Sequence, residues 1–167
     1  MKLVSYQNGP IAQAALLING YLYDTDKLVR DAPKTMKDLL AGWGIYYPAL
    51  HHEEKVIVDG TRTERSRKQP ENVKLLAPVP FPNSCRDGYA FRQHVETARR
   101  NRKLGMIPEF DKFPIFYFTN HNSIIGPGAV ACMPDHFEKL DFELEAAVVI
   151  SRQGRNIKAQ DADDYIA

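Results

Sequence analysis

The sequence predicts an α+β fold: a small β-rich N-terminal domain with its linker over residues 1–72, then a mixed domain over residues 73–167. Three observations predict it. Short apolar runs punctuated by Gly, Pro and Asn fill the N-terminal stretch, as in a β-meander. The polar segment "GTRTERSRKQPEN" then interrupts the apolar pattern, as an exposed hairpin tip or linker would. Beyond it, helical spacing and strand-like runs alternate.

Taken in order, "KLVSYQ", "AALLING" and "YLYD" read as short strands, with Asn8-Gly9-Pro10 and Asn19-Gly20 as turns. "TMKDLLAGWG" reads as a short helix capped by Thr35 and ending near Gly42 or Gly44, and a second amphipathic segment follows from Pro48 to Asp59. "VKLLAPVPFPN" suits an extended segment, because proline restricts its predecessor to β or polyproline geometry. A helix is expected over Tyr89 to Lys103, where Phe91, Val95 and Ala98 recur at helical spacing and the arginines Arg99, Arg100 and Arg102 lie largely outside that stripe. Strands are expected at "FPIFYF", around "GPGAVACMP" and at "DFELEAAVVISR". The run "AAVVI" in the last of these suggests burial on both faces. A final helix begins at "AQDADDYIA".

Charge gives no global lead to a partner. The 22 Lys plus Arg nearly balance 21 Asp plus Glu, so nothing recruits nucleic acid or an anionic membrane wholesale. Two cysteines, Cys85 and Cys132, without CxxC spacing, favour a reducing compartment, with cytoplasm as the default. Gln7, Asn8 and Pro10 break any continuous apolar region at the N-terminus, which makes a poor signal peptide. No run approaches the ~20 apolar residues of a membrane span.

Function must therefore be argued from side chains. Glu143 and Glu145, one residue apart on an expected strand, point to the same side of a sheet. They form either a solvated acidic face or, if buried, a pair that needs a positive partner or a metal. Hard oxygen ligands of this kind suit Mg²⁺, Mn²⁺ or Ca²⁺. Asp87 precedes the expected helix and is either its N-cap or a site residue. His94 follows seven positions later, which on a continuous helix is nearly the same face and roughly 10 Å along the axis, leaving room for a substrate. "HHEE" at 51–54, the basic run "ARRNRK" and "GPG" at 126–128 read as surface, solvated helix face and turn respectively.

In order, "LLAPVPFPNSCRDGYAFRQHVETARR", "FPIFYFTNHNSIIGPG", "LDFELEAAVVISRQGRNI" and "DADDYIA" resemble the fumarylacetoacetate hydrolase family. The resemblance implies that residues 73–167 form part of a mixed β-roll catalytic domain, truncated at its C-terminal side, behind a small leading domain. It implies a divalent cation, Mg²⁺ or Ca²⁺ with Mn²⁺ as a further option, held by Asp87, Glu143 and Glu145 and by a later aspartate. His94 matches the family's general base, and Tyr89 and Tyr117 match its substrate-contacting tyrosines. The implied activity is metal-dependent cleavage of a carbon–carbon bond in a 1,3-diketone or acylpyruvate such as fumarylacetoacetate, in aromatic amino-acid or aromatic compound catabolism, by a homodimer. The alternatives are a keto-acid decarboxylase or isomerase of the same family, and a non-catalytic homologue acting as a structural or subunit-interaction module. The sequence departs from the family pattern in places. Thr97 stands where many smaller members carry a glutamate partner for the base, and Glu96 points elsewhere; Thr119 stands where others have a lysine. The family pattern also continues past a "DYIA"-like helix to its last metal ligand, so residues 73–167 are expected to supply about half of the domain and an incomplete active site.

Overall fold

A computed structural model describes residues 1–61 and 66–167. Of the polar segment "GTRTERSRKQPEN", residues 62–65 lie outside the described residues. The chain divides into two units, one formed by Met1–Pro80 with Ile125–Ala167 and the other by Phe81–Ile124. Both contain helix and strand in small separate sheets, a mixed composition compatible with an α+β class.

The first unit begins with an antiparallel meander, β1 (Leu3–Asn8), β2 (Ile11–Ile18) and β3 (Tyr21–Asp24). The turn residues explain its register. Asn19 and Gly20 both take positive φ, 49° and 81°, the signature of a type I′ turn whose twist matches the flanking strands. Alternation along β2 then sends Ala14, Leu16 and Ile18 to one face and Ala15 to the other. The first face packs against Leu28 of α1 (Thr25–Leu28), Met36 and Leu39 of α2 (Met36–Ala41), and Leu50 and Ile57 of α3 (Trp43–Val58). The second face carries Tyr6, Ala15 and Leu22 beneath Val73 and Leu75. That cover is held by main-chain bonds: Gln7 N–H donates to Lys74 O at 2.9 Å and Leu76 N–H to Ser5 O at 2.8 Å.

Local chemistry sets the helices. Thr35 Oγ1 accepts from Asp38 N–H at 3.2 Å and Gly42 closes α2, as the sequence predicts. Helix α3 starts at Trp43, five residues before the expected Pro48, and carries that proline inside it. Helix α1 was not foreseen, because four residues leave no periodicity to read.

The remainder of this unit corrects three strand and helix expectations. No strand forms around "GPGAVACMP"; Gly126 instead lies so close to the 75–76 main chain that a Cβ there would sit 2.6 Å from Leu75 O. The stretch "DFELEAAVVI" is exposed, not buried on both faces, with Leu144 at 94% and Val148 at 66%. A strand exists only through a hydrogen-bonded neighbour. Among the described residues this stretch has one bridge, Ile150 to Ile166. The segment "AQDADDYIA" forms a 3₁₀ run, Ala159–Tyr165, in place of an α-helix.

In the second unit, β4 (Arg86–Gly88) pairs antiparallel with β5 (Phe116–Phe118), and α4 spans Arg92–Asn101. The helix is shorter than the expected Tyr89 to Lys103 and buries Val95 alone. Phe91 precedes it and is 77% exposed, so it is no part of an inward stripe. Among the described residues no helix is long and apolar enough to cross a membrane.

Candidate functional site

The short ribbon of the second unit sorts its side chains by register. Asp87 pairs directly with Tyr117, flanked by Arg86 opposite Phe118 and Gly88 opposite Phe116. Directly opposed residues project to the same face, so Asp87 and Tyr117 meet. Tyr117 Oη donates to Asp87 Oδ2 at 2.6 Å. Residues one step along project to the other face, where the Arg86 guanidinium lies over the rings of Phe118 and Phe116, 4.7 and 5.5 Å from their centroids. The sequence did not single out Arg86, since three residues are too short to reveal a strand's alternation.

This placement overturns one reading of Asp87. It is not the cap of α4: that position belongs to Phe91, whose side chain makes no cap bond. The expectation that Asp87 and His94 share one helical face therefore fails, because Asp87 lies in a strand. His94 is exposed on the first turns of α4, and its ring sits 6.3 Å from that of Tyr89 at an angle of 60°. Arg92, on the same helix, donates to Glu96 at 2.8 Å and to Asp111. Those bonds, with Asp111 foremost, hold its guanidinium above its ordinary pKa. Glu96 is thereby committed to Arg92.

In the first unit, Glu143 and Glu145 are both exposed, and each offers a carboxylate oxygen within 4.8 Å of the other. Two oxygens bound to one hard cation at about 2.0–2.6 Å lie no more than about 5 Å apart. The pair thus fits a shared divalent ion in spacing and donor chemistry. The neighbouring candidates have structural employment. His51 Nδ1 lies 3.3 Å from Glu54 Oε2, which also meets the N-terminal amine at 3.4 Å. In the basic run, Arg99 donates to the Gly105 carbonyl in the segment after its own helix.

Residues 83–167 match the family model described as fumarylacetoacetate (FAA) hydrolase, C-terminal. The chain belongs to the fumarylacetoacetate hydrolase family. It is 31% identical over 97 residues to fumarylacetoacetate hydrolase domain-containing protein 2 homolog of Dictyostelium discoideum, a match covering 58% of this chain and 29% of that protein. It is 38% identical over 97 residues to the mitochondrial oxaloacetate tautomerase fahd2 of Xenopus laevis, covering 57% of this chain and 28% of the relative. The human mitochondrial oxaloacetate tautomerase FAHD2B is 39% identical over 97 residues, with the same two shares, 57% and 28%. The chain thus matches less than a third of the length of these relatives.

Proposed function

We propose that residues 73–167 are the catalytic-domain part of a divalent-cation enzyme acting on a small 2-keto acid or 1,3-dicarbonyl, and residues 1–72 its leading domain. Asp87, Glu143 and Glu145 are the cation ligands, His94 the base, and Tyr89 a substrate contact. The observation that carries this reading is the family match over residues 83–167, which contains all of these positions. When bound, the cation, Mg²⁺, Ca²⁺ or Mn²⁺, polarises the substrate carbonyl and offsets negative charge on its oxygen. His94 accepts a proton at an imidazole nitrogen, the role histidine most often fills in general acid–base catalysis. The Tyr89 ring beside it supplies an apolar wall and a hydroxyl for orienting substrate.

Two outcomes of that proton transfer are open to these groups. Removing a proton from the carbon next to the ketone and returning one to the ketone oxygen converts keto to enol, and the reverse sequence converts enol to keto. Removing one from water yields hydroxide, which adds to a carbonyl carbon of an acylpyruvate or fumarylacetoacetate; the adjacent carbon–carbon bond breaks, its electron pair leaves with the departing ketone fragment, and the proton held by His94 returns to that carbon. The names of the relatives favour the first, with oxaloacetate as substrate, over cleavage in aromatic catabolism. The mitochondrial relatives also make a mitochondrial site as natural as the cytoplasm for two free thiols. The test is enol-to-keto conversion of oxaloacetate, followed by ultraviolet absorbance with Mg²⁺ or Mn²⁺ present, beside acylpyruvate hydrolysis and calorimetric metal titration. Metal-dependent conversion is expected; absence of both metal binding and turnover overturns the proposal.

One observation favours a second, non-catalytic reading, as a subunit-interaction module of a homodimer. Phe142, Leu144, Val148 and Ile150 are 83%, 94%, 66% and 62% exposed, large apolar groups close together along the chain, and exposed apolar surface marks contact sites.

A further inference from the structure

We infer that Tyr117 is a positioning residue that presents Asp87 to the cation as a one-oxygen ligand and so biases the site toward Mg²⁺ over Ca²⁺. The inference rests on the proposed role of Asp87 as a cation ligand. It reassigns Tyr117, whose position in the family pattern implies substrate contact. Its ground is the 2.6 Å bond from Tyr117 Oη to Asp87 Oδ2, made across a directly opposed pair of the β4–β5 ribbon.

A carboxylate offers two oxygens, and a phenol that donates to one of them does two things. It fixes the carboxylate's rotation, and it takes up electron density on Oδ2, leaving Oδ1 as the better ligand. The cations differ in what they want from such a group. Mg²⁺ demands near-octahedral geometry with single-oxygen ligands at about 2.0–2.1 Å, whereas Ca²⁺ accepts both oxygens of a carboxylate in a looser shell. An Asp87 held by one oxygen suits the first. The ribbon makes the hold firm, because the opposite face is clamped by Arg86 over Phe116 and Phe118.

The experiment is calorimetric titration of the full chain with Mg²⁺ and separately with Ca²⁺, for the wild type, Tyr117→Phe, Asp87→Ala and the double variant. Tyr117→Phe keeps the ring and removes only the hydroxyl, and circular dichroism checks that each variant folds. Loss of the outer bond is expected to weaken Mg²⁺ binding about tenfold, and Ca²⁺ binding by less. In the Asp87→Ala background the same substitution is expected to change nothing, since the hydroxyl acts only through that carboxylate. Equal weakening for both cations, or weakening that persists without Asp87, overturns the inference and leaves Tyr117 a structural or substrate-side group. Mg²⁺ binding that Glu143→Ala leaves unchanged, or no binding by the wild type, overturns instead the cation site on which the inference depends.

Discussion

At the scale of single residues, the carboxylates and the histidine make separable predictions. On the proposed function, replacing Glu143 or Glu145 with alanine removes a cation ligand, so metal binding and activity should fall together. On the same proposal His94→Ala removes the proton acceptor alone, and turnover is expected to fall about 10²–10⁴-fold with metal affinity unchanged. Titration calorimetry beside rate assays checks both, and a His94 variant that no longer binds metal contradicts the division of labour. A second residue-scale prediction concerns the buried cluster of the first unit. Tyr6 Oη donates to Asp24 at 2.7 Å and Lys68 Nζ donates to the same carboxylate at 2.6 Å. Burial raises the Tyr6 pKa, an effect that the Lys68 bond opposes and Asp24 reinforces. For Lys68 burial works against the charge, but the bonds to Asp24 and Tyr6 outweigh it and the pKa is also raised. Both groups hold their protons more tightly folded than unfolded. Their contribution is therefore whole below about pH 10 and is lost as pH rises through the folded values. Urea midpoints measured from about pH 8 to about pH 11 should fall, and Lys68→Met should flatten the decline.

At the scale of elements, legibility in the sequence follows how local the determining physics is. The meander was readable because two Gly-containing turns and the alternation of β2 act within a few residues. The α2 cap was readable for the same reason. Thr35→Ala should cost about 1 kcal/mol, visible as a lowered urea midpoint, whereas Leu39→Ala on the fully buried face should cost about 2–5 kcal/mol. A cap substitution costlier than the core one would contradict this ordering. Helix α3 shows where the reading stops: a proline marks a boundary by default, yet its neighbours carry the helix through it. Strand β4 shows another limit. Its existence depends on β5, thirty residues away in the Asp87–Tyr117 bond, and no local pattern announces it. Asp87 was singled out by its place before an expected helix and by motif order, and neither signal reaches the β4–β5 pairing, which explains why its strand and its bond to Tyr117 were not foreseen.

At the scale of the whole molecule, burial is distributed unevenly along the chain, and the distribution makes a prediction of its own. Among the described residues the buried hydrophobic ones lie within the first eighty positions except Val95, whereas the stretch from Phe142 to Ile150 exposes large apolar groups. Stretches rich in buried contacts and laddered hydrogen bonds open only with global unfolding, while stretches without them exchange by small local fluctuations. Amides of β1, β2 and β3 should therefore be the slowest to exchange with deuterium, α4 intermediate, and residues 141–149 the fastest. The same contrast bears on assembly. If the apolar stretch is covered by a second copy of the chain, protection at 141–149 should rise with protein concentration, and Leu144→Lys, which places a charge at the most exposed apolar position, should abolish the rise while leaving the meander unchanged. If exchange there is fast at every concentration, no homodimer forms through this stretch. Slow exchange at 141–149 in a monomer at high dilution would contradict the exposed arrangement itself, since protection requires a hydrogen-bonded partner for those amides.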